Sequence, residues 1–110
     1  MPDEKFDYQQ IDNFIHSRIR LAIMAVLASV NEMDFNSIKK AVNTTDGNLS
    51  VHLKKLEENG YIKIEKKFIN RKPLTTCHLT KKGEQSFTDY ISTVEGFIQK
   101  TKNTKSGEES

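Results

Sequence analysis

A chain of 110 residues has room for one modest hydrophobic core and not for two. Its apolar share of 35% is low and its charged share of 29% is high, the balance of a small domain with a large wet surface that a partner subunit could complete. No apolar run reaches the roughly 18 residues of a membrane span. The opening MPDEKFDYQQ is acidic where a secretory signal would be basic, and the lone Cys77 excludes an internal disulfide or a thiolate metal site, so a cytoplasmic protein is expected.

The net charge of +2 conceals an asymmetry. Residues 36–82 carry Lys39, Lys40, Lys54, Lys55, Lys63, Lys66, Lys67, Arg71, Lys72, Lys81 and Lys82 against Asp46, Glu57, Glu58 and Glu65, whereas acids outnumber bases on both sides of that stretch. A basic middle between acidic ends is the electrostatic footprint of a nucleic-acid binder, although a lysine-rich run also serves as an ordinary solvated face.

In chain order, residues 1–10 read as a polar arm or short lead-in helix, and a domain is expected over residues 11–99. Ile11, Phe14, Ile15, Ile19, Ala22, Ile23, Val26, Leu27 and Val30 recur at helical spacing, with Ser17 able to cap a second segment if the helix breaks there. Met33-Asp34-Phe35 suits only a brief strand; Asn36 then offers a cap to a short helix carrying Ile38, Ala41 and Val42. Thr45 is the natural cap of a third helix running to about Asn59, its hydroxyl accepting from the amide of Gly47 or Asn48, and Gly60 can take the left-handed conformation beyond its end. Ile62, Ile64 and Phe68 alternate with charged residues as the buried face of a strand, Ile69 to Pro73 read as a basic turn, and Thr75 to Leu79 return as a second strand. Thr80 caps a long helix bearing Phe87, Tyr90, Ile91, Val94, Phe97 and Ile98, and residues 100–110 are polar enough to read as a disordered tail.

Two short helices joined by a tight turn, followed by a two-stranded ribbon, make the layout of a winged helix-turn-helix: an α+β fold, mostly α. IHSRIRLAIMAVL at 15–27, DFNSIKKAV at 34–42, TDGNLSVHLKKLEENGYI at 45–62 and CHLTKKGEQSF at 77–87 together resemble winged-helix transcriptional regulators, in particular the small single-domain MarR-like group whose recognition helix opens with Asp-Gly-Asn-Leu. The resemblance spans about residues 11–98, with one departure at Arg18, where the group often has Pro. It implies that residues 46–59 enter the major groove, that the wing at 66–74 lies on the backbone or in the minor groove, and that the terminal helices dimerise. The layout is also similar to that of ArsR-type metal sensors, but those need a Cys-containing box in the recognition helix, and residues 46–59 hold no Cys.

Turned at about 100° per residue, the third helix buries Leu49, Leu53 and Leu56 with His52 beside them. The opposite face offers Thr45, Asp46, Gly47, Asn48, Ser50, Val51, Lys54 and Lys55 to DNA: Asn48 and Ser50 for base edges, Val51 for a thymine methyl, Lys54 and Lys55 for phosphates, and Gly47 for a bare first turn that can come close to a phosphate. Asp46 is the awkward member, suited to its own helix dipole or to a cytosine amino group. On the wing, Lys66, Lys67, Asn70, Arg71 and Lys72 suit phosphates, against the blander reading of a charged tip that protects a strand edge; Lys39 and Lys40 are evenly balanced between the two roles. The apolar stripe of the last helix exceeds what a small core can cover, so Ile11, Phe14, Ile15, Phe87, Tyr90, Ile91, Val94, Phe97 and Ile98 are expected at a two-fold homodimer interface.

His52 reads as a packed, hydrogen-bonded residue rather than a ligand, and Cys77 and His78 fall on opposite faces of a strand. No nucleophile–base pair, phosphate loop or paired carboxylate appears, so neither enzymatic activity nor a cofactor is expected, and no polar groups converge on an effector site. The expected function is sequence-specific binding of double-stranded DNA at a pseudo-palindromic site; the competing one is a winged-helix assembly module that reads no bases.

Overall fold

Asp12 decides where the first helix begins. Its Oδ1 accepts from the amides of Phe14 and Ile15 at 2.9 and 3.1 Å, which folds residues 12–16 into a turn and drops Ile15 into the core. The helical spacing of Ile11, Phe14 and Ile15 therefore belongs to a turn, because a short side chain that captures its neighbours' amides competes with helix formation. The computed structural model describes residues 6–109, with side chains as far as Asn103. Residues 1–5 of the expected arm lie outside the described residues; Tyr8–Gln10 form a single 3-10 turn capped by Asp7.

Seven elements follow: α1 (Arg18–Ala28), β1 (Met33–Asp34), α2 (Phe35–Val42), α3 (Asp46–Glu58), β2 (Ile62–Ile69), β3 (Lys72–Leu79) and α4 (Lys81–Glu109). The sheet is antiparallel in the order β1-β3-β2, with Met33 opposite Cys77 and Ile62 opposite Leu79. Ile23, Met24 and Leu27 of α1, Ile38 of α2, and Leu49, Leu53 and Leu56 of α3 close over Ile62, Cys77 and Leu79 of the sheet, with Tyr90 of α4 sealing one side. This is a winged helix: four helices and a small sheet whose last two strands form the wing.

Several boundaries differ from the sequence reading, each for a local reason. Asp34, not Asn36, caps α2: its carboxylate accepts from the Ser37 amide and hydroxyl, bonds that hold its pKa below the usual carboxylate range. The wing turn contracts to Asn70-Arg71, both with positive φ (53° and 65°), so the strands run on through Ile69 and from Lys72. Paired positive φ values match the right-handed twist of a ribbon, and Asn tolerates them best. Phe68, expected on a buried face, is exposed, because the ribbon extends past the helices that cover Ile62. Finally, α4 runs from Lys81 to Glu109, past residue 100, and Thr101 adds a bond from its hydroxyl to the Phe97 carbonyl.

Candidate nucleic-acid interface

The turn between α2 and α3 is set by three residues. Asn43 takes the left-handed conformation at φ 56° and stops α2, Thr44 bridges, and the Thr45 hydroxyl accepts from the Asn48 amide at 3.2 Å to start α3. With Leu49, Leu53 and Leu56 buried, the other side of α3 presents Asp46, Gly47, Asn48, Ser50, Val51, Lys54 and Lys55 to solvent. A Cβ built on Gly47 would meet nothing within 4 Å, so nothing inside the chain requires a glycine there. The Asn48 amide is held at its root, donating from Nδ2 to the Thr44 hydroxyl at 2.9 Å. Asp46 forms an ion pair with Lys39 at 2.7 Å, which offsets its charge and commits that lysine.

Beneath this face, His52 is half-buried. Arg20 donates from Nε to the Phe14 carbonyl at 2.7 Å, lies 4.5 Å above the Phe14 ring, and brings Nη1 within 3.2 Å of His52 Nδ1. Burial first, then the charges of Arg20 and Lys55, hold the His52 pKa below its ordinary 6.5. The neutral ring accepts from Arg20, tying the back of α3 to α1. Among the described residues, no three His, Cys, Asp or Glu side chains group as metal ligands would.

On the wing, Lys66, Asn70, Arg71 and Lys72 are exposed. Lys67 stands apart, because its ammonium donates to both carboxylate oxygens of Glu32 at 2.9 and 3.0 Å. That bond raises its pKa and ties the root of the wing to the loop after α1. Cys77 is buried between Ile64 and Met33 in the sheet register, and desolvation pushes its thiol up to about 11, which leaves it an inert core residue.

The residues expected at a subunit interface divide. Ile15 and Tyr90 are buried in the chain's own core and cannot front a partner; the Tyr90 hydroxyl and His16 Nδ1 also share a hydrogen bond at 2.7 Å. Ile11, Phe14, Phe87 and Val94 are half-covered by that core, and Phe97 takes the Phe6 ring edge-on at 5.8 Å. Ile91 and Ile98, seven residues apart on one side of α4, remain in water at 37% and 49% exposure.

Three structural roles escaped the sequence reading. Asp12 and Arg20 organise the start of α1 and brace α3, yet isolated polar residues in an apolar stripe look like any solvated pair. Asp12 also accepts from the Tyr61 hydroxyl at 3.2 Å. Gly83, in the Thr-Lys-Lys-Gly run, is the third: a Cβ there would lie 2.0 Å from the Tyr61 carbonyl oxygen.

Comparison with known proteins agrees with this geometry. The winged helix DNA-binding domain family matches residues 19–98. An uncharacterized protein of Methanocaldococcus jannaschii is 39% identical over 88 residues, covering 80% of this chain and 92% of that one. The solved structure of a transcriptional regulator homologue from Pyrococcus horikoshii superposes with a TM-score of 0.77 at 29% identity, over 82% of this chain and 89% of that one. A MarR-family transcriptional regulator from Silicibacter pomeroyi shares the fold at 14% identity, with a TM-score of 0.63 over 80% of this chain and 58% of its own. With more than half of its residues matched, this chain belongs to the winged helix DNA-binding domain family.

Proposed function

We propose that this chain is a cytoplasmic, homodimeric transcriptional regulator that reads a pseudo-palindromic DNA site, with α3 in the major groove and the wing on the backbone or in the minor groove. The observation that carries this reading is the outer face of α3. A glycine that costs up to about 1 kcal/mol in a helix has no neighbour that demands it, and it opens a row of exposed polar and cationic side chains over a fully buried leucine stripe. A close external surface with phosphates explains both features. Bare amides at the positive end of α3 meet a phosphate, Asn48 and Ser50 face base edges, Val51 is free for a thymine methyl, and Lys54, Lys55, Lys66, Arg71 and Lys72 supply charge.

Dimerisation rests on α4. Its 29 residues extend about 43 Å, longer than the core beneath it, and Ile91 and Ile98 make an apolar seam on the uncovered side. Pairing two such helices buries that seam and sets two copies of α3 about 34 Å apart, one turn of duplex. Selection of bound duplexes from a random pool tests the proposal, and the expected product is an inverted repeat with half-sites one turn apart. Asn48→Ala should relax preference at one base position, and Arg71→Ala should weaken all sequences alike while lowering the salt dependence by about one ion. Failure to enrich any duplex would refute the reading.

A further inference from the structure

The wing ends in two apolar side chains that the fold leaves in water. Phe68 is 75% exposed and Ile69 53% exposed, and they are the last residues of β2 before the turn. Across the ribbon, Phe68 faces Pro73 and Ile69 faces Lys72, both exposed as well, so no internal packing accounts for a phenyl ring at this place. The tip is short: a two-residue turn closes it, and Lys67 pairs with Glu32 at its root.

The charges around the ring indicate what it meets. Lys66, Arg71 and Lys72 surround the tip and form no ion pair among the described residues. Of the nearby carboxylates, Glu32 is paired with Lys67, and Glu65 lies toward the root of the ribbon, opposite Thr76 and 3.7 Å from His78 Nδ1. A second copy of the tip would oppose cation to cation. A polyanion with flat apolar surfaces between its charged rims fits instead, and the duplex groove is such a surface, with phosphates on both edges and stacked bases at its floor.

Resting on the DNA-binding reading above, we propose that Phe68 is a wedge: it enters the minor groove and partly unstacks one base step, while Lys66, Arg71 and Lys72 hold the flanking phosphates. Pyrimidine–purine steps unstack most easily, so the wedge imposes a preference for such a step under each wing without any hydrogen bond to a base. The duplex bends toward the major groove, which wraps it onto the protein.

The test uses the full chain and its selected duplex, labelled at both ends for energy transfer and carrying 2-aminopurine at the step under the wing. The wild type is expected to bend the duplex by roughly 20–90° and to raise 2-aminopurine emission. Phe68→Ala should still bind the same site with the bend and the emission rise lost, Phe68→Leu should retain much of both, and neither change should move the melting temperature of so exposed a position. A wild-type complex with straight DNA, or unaltered bending by Phe68→Ala, would overturn the wedge and leave the regulator standing. Absence of duplex binding would overturn both. Sedimentation with phosphatidylserine vesicles that is lost in Phe68→Ala, with no effect on DNA bending, would assign the tip to a membrane surface and reject the wedge.

Discussion

Two helices of this molecule carry a glycine in their first turn, Gly47 in α3 and Gly83 in α4, and their surroundings are opposite. Gly83 sits where α4 crosses the joint between α3 and β2. Thr80 donates from its amide to the Tyr61 carbonyl and from its hydroxyl to the Gly60 carbonyl, and the same hydroxyl accepts from the Gly83 amide at 3.0 Å. A Cβ on Gly83 would fall 2.0 Å from the Tyr61 oxygen and 2.9 Å from its carbon, both backbone atoms that cannot rotate away. A Cβ on Gly47 would enter open space. One glycine is required by the fold, and the other by nothing the fold contains, so its use must be sought outside the chain.

Substitution at each position sharpens that contrast, and Gly83→Ala has the largest expected effect. The methyl must push α4 off Tyr61, which should cost about 3 kcal/mol and lower the melting temperature by on the order of 10 °C. Thermal unfolding followed by far-ultraviolet circular dichroism reads it directly. An unchanged midpoint would mean that the joint relaxes freely and that the comparison fails. Gly47→Ala should do the reverse to the fold, stabilising it by about 0.5 kcal/mol through better helix propensity, while weakening DNA binding about tenfold on every sequence. If affinity is unaffected, the first turn of α3 does not approach a phosphate.

The same contrast explains what was legible in the sequence. Features that depend on spacing within one element could be read directly: the leucine stripe of α3, its Thr45 cap, the left-handed Gly60, and the order of helices and strands. What depends on contacts between distant segments could not. Arg20 to His52, Asp12 to Tyr61 and Gly83 to Tyr61 join residues at least 22 positions apart, and no local pattern announces them. The exposure of Phe68 is hidden in the sequence for a related reason, since alternation tells which face of a strand a residue occupies but not how far the core extends along it. Ile15 and Tyr90 show the converse, because an apolar stripe does not say which of its members the chain covers itself. The outer face of α3 was legible as a surface; the pairing of Asp46 with Lys39 was not.

A smaller effect should follow from the brace behind α3. The His52 pKa is depressed, so between that value and 6.5 the unfolded chain binds more protons than the folded one. Stability from this group is present above pH 6.5 and is lost as the pH falls through the folded pKa, where a protonated ring can no longer accept from Arg20 and gains a like charge beside it. Denaturant unfolding at pH 7 and pH 5 should show a loss in the wild type that is reduced in His52→Gln. Asp34 contributes in the same direction but only below about 3.8, outside that window. Equal losses in both proteins would remove His52 from the brace.

The smallest effect on the fold, and the most informative about readout, is expected from Asp46→Asn. Asp46 is largely exposed while Lys39 is half-buried, and a pair at such a surface site should change stability by no more than about 0.5 kcal/mol when lost, part of it from weaker interaction with the α3 dipole. In the proposed reading the pair is a restraint on DNA: it places a negative charge at the start of the face assigned to the major groove and withholds a lysine from the phosphates, at the expense of non-specific affinity. Asp46→Asn removes that charge and frees Lys39, and it should bind scrambled duplexes more tightly, with a steeper dependence on salt by about one ion, while the selected site gains less. The ratio of specific to non-specific affinity therefore falls although both affinities rise. Should the selected site instead lose affinity at a single cytosine-bearing position, Asp46 reads that base directly, and Lys39 then serves to orient the carboxylate toward the amino group rather than to mute it.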